Sequence, residues 1–592
     1  MRKRLLTIVF AVLVAVAPAP VAHADGDDDE PRLAPEPQPV AVGSGGAVAT
    51  VDAVATREGV NALKRGGNAV DAAVTTAAVL GVTEPYVESL GGSSYMTIYL
   101  KDEGRAVVIG DRTPAPQGFV PEDRRNLPGT GVLSAGVPTT LMTWKEALDR
   151  FGTISLRQAL QPAIRVAREG LVVEEDFVPG PLNRVRFRAF QSTYDLFFPG
   201  GELPVEGTLF RNPDLARAYK LIADHGVGVL YSEDGPIAKA MVETVQNPPL
   251  TPDAAQYVVP SALRPGRMTL SDLAGYRQER PAPAHVRYRG YDLYTTPPPD
   301  GGSTLGEALN ILEGFDLSGP DRALALHRYL ETSKLAYADR ERWVGDPRFV
   351  DVPLDGLLSQ GYADERRCLI GDTAMQAPVA PGDPTPPYDM ECSGSTAGLE
   401  TESGAHSTHH FSLADGDGNM VAYTGTLVNA CGSAVVVTGY GFCLNNEMTN
   451  FTGPASSFPG DPNLAAGGKR PRGNMSPTVV ARDGRPVLTV GAAGGQTIQT
   501  TVLGILMNHF DFGMSLPDAI WAPRVSQRNR ATALANQSFL AAWGDELSTR
   551  FGQTFEVGDE FSDAMAVLIL PDGRQVAAGE PWADARVVTP ER

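Results

Sequence analysis

Hydrophobic positions recur about every 3.6 residues over Thr140 to Phe151, Leu156 to Glu169, Pro213 to His225, Thr304 to Gly314 and Leu324 to Trp343, predicting a helical middle to the chain. Ahead of it, Asn68 precedes a small-residue helix from Ala69 to about Leu80, closed near Gly81 and Pro85. Its Ala-rich face implies close packing against a sheet. Tyr95 to Leu100 and Arg105 to Ile109 read as two strands about the Lys101-Asp102-Glu103-Gly104 turn. From Pro378 to His406 the pattern dissolves into Pro, Gly, Ser and Asp, which predicts an exposed tether.

At Thr408 the texture turns to β, with THHFSLAD, a turn at Gly416-Asp417-Gly418-Asn419, and then MVAYTGTLV. Alternation puts Thr408, His410 and Ser412 on one side of the first strand and His409, Phe411 and Leu413 on the other. Further strands are expected at Thr478 to Ala481, Val487 to Val490 and Ala566 to Leu570, with a helix from about Thr497 to Phe510. No short internal repeat is visible.

A chain of 592 residues with 42% hydrophobic content can bury a large core. Its net charge of -20 leaves no bulk basic surface to neutralise phosphates, so nucleic acid is not an expected partner. The opening Met1-Arg2-Lys3-Arg4, an apolar run from Leu5 to about Val16 and the Ala22-His23-Ala24 end read as a secretory signal over residues 1–24, cut after Ala24. No later stretch is long and apolar enough to span a bilayer, so a secreted, extracellular protein is expected. Residues 25–39, acidic and proline-rich, read as a flexible leader. Cys368, Cys392, Cys431 and Cys443 form an even set that export would permit to pair; the local pairs 368–392 and 431–443 are expected.

For chemistry, His406, His409 and His410 crowd one segment, but alternation separates His409 from the other two and no Cys pair has ligand spacing, so no metal is expected. The sequence has no G-x-S-x-G elbow. There remains Ser407-Thr408, at the junction between tether and β-rich segment. A threonine hydroxyl becomes a useful nucleophile when a base takes its proton, and a free α-amine with a pKa of about 8 could be that base if Thr408 headed its own chain. The residues alone leave Thr408 equally readable as an ordinary strand-starting threonine.

Eight blocks in order, GGNAVDAAVTTAAVLGVTEP (66–85), DRTPAP (111–116), PPPDGGSTLGEALNILEGFD (297–316), KLAYADRERWVGDP (334–347), THHFSLADGDGN (408–419), LNNEMTNF (444–451), KRPRGNMSPT (469–478) and GAAGGQTIQTT (491–501), resemble the γ-glutamyltranspeptidases of the N-terminal nucleophile (Ntn) hydrolase superfamily. The resemblance implies an α/β (α+β) fold, a four-layer αββα sandwich built from a large chain (40–407) and a small catalytic chain (408–592) cut from one precursor between Ser407 and Thr408. It implies no cofactor, and as partners a small-molecule γ-glutamyl or other acyl-amide substrate and the two subunits of the precursor as a heterodimer.

By the same resemblance Thr408 is the nucleophile and Thr426 the threonine that orients it. Gly494 and Gly495 supply the backbone donors of an oxyanion hole, where one donor is worth roughly 3–4 kcal/mol. Arg112 matches the arginine that grips the glutamyl α-carboxylate, and Glu447 and Asn450 match two groups that hold the α-ammonium. The chain departs from the family here: Asn450 stands for Asp, Gly473-Asn474 for a Ser-Ser pair, and Val428 for a polar residue. Catalytic positions are kept while acyl-recognition positions differ. The expected activity is γ-glutamyl transfer or hydrolysis. The alternatives are an acylase of altered acyl specificity, such as a glutaryl or cephalosporin acylase, and a non-catalytic scaffold that binds without turnover.

Overall fold

The computed structural model describes residues 37–174, 177, 179–388, 407–558 and 561–588. The signal segment, His406 and Cys392 lie outside them.

Two antiparallel sheets stack face to face. One runs in the spatial order Val40–Gly43, Gln575–Gly579, Asp563–Ile569, Arg485–Ala493, Thr478–Arg482, Tyr291–Thr295 and Ala284–Tyr288. The other runs Asp584–Val587, Gly46–Thr50, Ser407–Asp415, Met420–Val428, Ser93–Leu100 and Arg105–Asp111. Small side chains line the seam between them, among them Ala47, Ala49, Ala414, Ala422, Ala481 and Ala577, with Met565 and Tyr99, so the sheets approach closely. Outside the second sheet, Val48, Ile98, Phe411 and Tyr423 share a core with the helices Ala53–Lys64, Ala69–Thr83 and Thr140–Phe151. Outside the first, Leu293, Leu488 and Ala566 pack against Gly302–Glu313, Arg322–Trp343 and Ile498–Phe510. The layering is the αββα sandwich the sequence implied. Each sheet combines strands from residues up to 388 with strands from residue 407 onward: four later strands lie between earlier ones in the first sheet, and the earlier Gly46–Thr50 lies between later ones in the second.

Asn68 caps its helix as expected, accepting from the N–H groups of Val70 and Asp71 in a capping box. That helix runs on through Gly81 to Thr83. Gly81 is a packing notch rather than a stop: a Cβ there would lie 2.6 Å from the Tyr219 hydroxyl, which donates to the Ala78 carbonyl. The helix expected over Leu156 to Glu169 is instead two, Leu156–Ala159 and Gln161–Glu169. Pro162, which has no N–H to continue the first, stands in the opening turn of the second. The expected exposed tether is corrected over 378–388: this stretch is irregular, but Val379 is buried, its N–H donating to Asn529, and Gly382 is held by Asp339 and Trp343. The rest of the tether lies outside the described residues.

Candidate active site

Thr408 is the second residue of the Ser407–Asp415 strand, and that strand's pairing fixes its neighbours. It lies in register opposite Thr426, which on its other side lies opposite Ser93. Cross-strand partners share a face, so three hydroxyls form a row across the sheet. The Oγ atoms of Thr408 and Thr426 are 2.9 Å apart, and Thr426 Oγ is 2.9 Å from the carbonyl oxygen of Ser407. The Val428 N–H also donates to Thr426 Oγ, at 2.9 Å. A hydroxyl has one proton to give. Thr426 gives its proton to the Ser407 carbonyl and accepts from Thr408 and Val428, so the hydroxyl proton of Thr408 points at Thr426.

A bulge between Thr426 and Val428 makes this arrangement possible, and Val428 sits there at φ 79°. A β-branched residue in that region is strained by about 1–3 kcal/mol. The strain is held where the backbone N–H aims the Thr426 hydroxyl.

The two adjacent histidines part as alternation requires. His410 faces the seam, its ring nitrogens bonded to the hydroxyls of Thr424 (2.9 Å) and Ser412 (3.0 Å). Burial, with His409 adding, pushes its pKa down to about 3, so it is a neutral packing group. His409 faces the helices, with Nε2 2.5 Å from the Glu88 carboxylate; that carboxylate also accepts from the Tyr423 hydroxyl, itself bonded to Trp144. Glu88 and His409 are both buried, and no feature of the sequence marked the pair. Among the described residues no three His, Cys, Asp or Glu side chains converge as a metal would require.

The other sheet packs over the strand that carries Thr408. Ser412 faces Thr489 across the seam, and a Cβ on Gly491 would strike the His410 ring at 2.3 Å. The Arg485–Ala493 strand therefore runs over the strand that carries Thr408, and Gly494 and Gly495 follow directly on its end. Gly494 has φ 151°, and a Cβ there would lie 2.6 Å from Ser562 Cα, so no other residue fits; Gly495 has φ 64°. Backbone donors at such a turn can face a developing oxyanion.

On the far side of the hydroxyl row, Ser93 donates to Glu447 Oε1 at 2.8 Å. Glu447 Oε2 is 2.6 Å from Arg112 Nη2 and accepts from the Asn450 amide at 3.1 Å. Arg112 directly follows the Arg105–Asp111 strand, whose Asp111 is clamped by Arg470 at 2.6 Å. A second carboxylate, Asp300, lies 3.8 Å from Arg112 Nε, an ionic contact too long for a hydrogen bond. Burial pushes the Asp300 carboxyl up to about 6, with Arg112 opposing and Glu447 adding to the rise. Gly473 and Asn474 are held by Arg340, which donates to the Gly473 carbonyl (2.9 Å) and to Asn474 Oδ1 (2.7 Å). Every expected recognition residue therefore borders one cluster. Asp300 and Arg340, which the sequence reading did not single out, complete it. Both stood within blocks already matched, but nothing local in PPPDGGS or ADRERW distinguishes a site residue from a turn or a helix face.

Cys431 and Cys443 are joined, and Cys368 is also disulfide-bonded. The expected 368–392 pairing falls partly outside the described residues.

The γ-glutamyltranspeptidase family model matches residues 55–589. The chain belongs to the γ-glutamyltranspeptidase family. It is 36% identical over 496 residues to a glutathione hydrolase proenzyme of Bacillus subtilis (strain 168), covering 81% of this chain and 80% of that one. It is 34% identical to the acylase ACY 1 proenzyme of Pseudomonas sp. (strain SE83), covering 81% and 82%. Among solved structures, a cephalosporin acylase from Bacillus halodurans superposes with a TM-score of 0.80 at 28% identity, covering 96% of this chain and 100% of that one. Relatives named as a glutathione hydrolase and as an acylase are thus nearly equally similar to this γ-glutamyltranspeptidase-family chain, and overall identity does not choose between them.

Proposed function

We propose that this chain is a self-processing γ-glutamyltransferase or glutathione hydrolase that works through an N-terminal threonine. The observation that carries the reading is the relay from Thr408 Oγ to Thr426 Oγ to the Ser407 carbonyl oxygen, each step 2.9 Å. In the precursor, Thr408 Oγ attacks the Ser407 carbonyl carbon. The Ser407–Thr408 C–N bond breaks, the hydroxyl proton ends on the released amine, and an ester remains on Thr408. Water opens that ester and leaves Thr408 as a new N-terminus. Strands from both sides of the cut interleave in both sheets, which supports the large and small pieces staying together as a heterodimer.

With substrate the same hydroxyl attacks the amide carbonyl while the α-amine takes its proton and delivers it to the leaving amine. Gly494 and Gly495 face the oxyanion. Water or an amine acceptor then removes the acyl group. Arg112, Glu447, Asn450, Gly473 and Asn474 form the acyl end of the site. The names of the relatives support γ-glutamyl amides as the donor class. We also take residues 1–24 to be a secretory signal; among the described residues no helix is long and apolar enough to cross a membrane.

A second reading, an acylase of the same mechanism with a different acyl group, is favoured by one observation. Arg112, the residue that would grip an acyl carboxylate, is already paired with two of the protein's own.

Denaturing gels and N-terminal sequencing test the common mechanism. Wild type should give two fragments, the smaller beginning Thr-His-His-Phe, and Thr408→Ala a single band without activity on γ-glutamyl-anilide. An uncut, fully active wild type would remove the proposal.

A further inference from the structure

Asp300 occupies the space that a side chain at position 473 would need. A Cβ on Gly473 would lie 2.2 Å from Asp300 Oδ1. The loops carrying the two residues are bound together: Gly473 N–H donates to the Pro299 carbonyl at 2.9 Å, and Met475 N–H to Asp300 Oδ1 at 2.8 Å. These bonds fix one oxygen and turn the other, Oδ2, toward Arg112 Nε. Neither Asp300 Oδ2 nor Arg112 Nε has a hydrogen-bond partner among the described residues, although the side chains are 0% and 3% exposed. Buried polar atoms left this way mark either a cost or a position meant for another group.

Charge decides what that group is. One guanidinium faces two carboxylates, Glu447 at 2.6 Å and Asp300 at 3.8 Å. With both ionised, Arg112 and the two carboxylates that face it sum to one negative charge, while Arg340 is engaged by Glu341, Gly473 and Asn474, so a third carboxylate at Arg112 would meet like charge on two sides in a desolvated site. A positive or neutral donor would meet the opposite field. The cluster is close enough to the nucleophile to read the acyl chain: Ser93, bonded to Glu447, is two strands across from Thr408, roughly 10 Å at the usual strand spacing.

We propose that Asp300 is a specificity-determining residue: a built-in carboxylate on Arg112 that excludes a free acyl carboxylate, so that the enzyme prefers a short acyl group bearing an amino group and no carboxylate. This rests on the Thr408 acyl-transfer mechanism and deepens the second reading above. Gly473, by having no side chain, leaves the room that Asp300 occupies.

Three anilides differing by single groups make the test. The 4-aminobutyryl anilide is the γ-glutamyl anilide without its carboxylate, and the glutaryl anilide is the same compound without its ammonium. On self-cleaved wild type, kcat/KM for 4-aminobutyryl-anilide should exceed that for γ-glutamyl-anilide at least tenfold, with glutaryl-anilide lowest. Asp300→Asn, which keeps the shape and removes the charge, and Asp300→Ser should each lower that preference at least tenfold. The appearance of the two fragments reports that each variant has folded. Equal or better use of γ-glutamyl-anilide by wild type overturns the proposal, as does an unchanged preference in variants that self-cleave. Self-cleaved protein that turns over none of the three overturns the substrate class alone. Protein that neither self-cleaves nor turns over any of them overturns the Thr408 mechanism as well.

Discussion

The hydroxyl oxygens of Thr408 and Thr426 lie 2.9 Å apart, and the second also contacts the Ser407 carbonyl, that of the bond proposed to be cut. One threonine thus receives the proton of the nucleophile and polarises its target. Thr426→Val keeps the branched shape and removes the hydroxyl, so self-cleavage should slow by roughly 10²–10³-fold, the usual loss for one donor to an oxyanion. Thr426→Ser should keep most of the rate. A time course of fragment appearance on denaturing gels measures both, and a Val variant that cuts at the wild-type rate would remove Thr426 from the chemistry.

Gly494 combines a φ of 151° with a neighbour, Ser562 Cα, inside the space of any side chain. Gly494→Ala must move the turn that follows the Arg485–Ala493 strand, which costs about 1–3 kcal/mol in backbone strain alone. It also displaces the backbone donors proposed to face the oxyanion. We expect a fall in thermal midpoint together with a loss of kcat well beyond what the stability change explains, read at a temperature where the variant is fully folded. A variant of normal kcat would show that the turn is structural only.

Much of this was legible in the sequence because it depends on short-range pattern. Period-2 alternation sent His409 and His410 to opposite faces, and Asn68 announced a capped helix. The αββα layering and Thr408 itself came from family blocks, since no periodicity separates a nucleophilic threonine from a strand-starting one. What stayed hidden depends on distant residues meeting. Gly473 stood in the sequence only as a departure from a Ser-Ser pair and Asp300 was not singled out, and only the fold brings one carboxyl into the other's side-chain space. Glu88 and His409 are equally remote in sequence, and their contact needed the segment after the Ala69–Thr83 helix to be placed over the strand. The break at Leu160 escaped because apolar spacing continues smoothly through it, and only Pro162 carries the signal.

His410 sets a pH dependence of stability. Folded, burial holds its pKa near 3; unfolded, it should titrate near 6.5. Below pH 6.5 the unfolded chain binds a proton that the folded chain refuses, so the stability contributed by neutral His410 is lost as pH falls toward 3. Between pH 6.5 and 4 the loss is about 3 kcal/mol. His410→Gln should lack this component, so the stability difference between wild type and variant in urea titrations should shrink as the pH is lowered. A difference that stays constant from pH 7 to 4 would mean that His410 is protonated in the folded protein.

The Cys431–Cys443 bond closes the loop that leads directly into Asn445, Asn446 and Glu447. Asn445 ties this stretch down by bonding the backbone of Gly91 and Gly136, and Glu447 then reaches Ser93 and Arg112. The cross-link therefore restrains the acyl end of the site, whereas Thr408 and Thr426 are held by strand pairing that does not depend on it. Replacing both cysteines by serine should cost about 2–4 kcal/mol of stability, the usual worth of a disulfide. It should raise KM for the best anilide severalfold, with a smaller change in kcat and self-cleavage near the wild-type rate. Loss of self-cleavage in a variant that still unfolds cooperatively would instead tie the loop to the nucleophile and sink this division of labour.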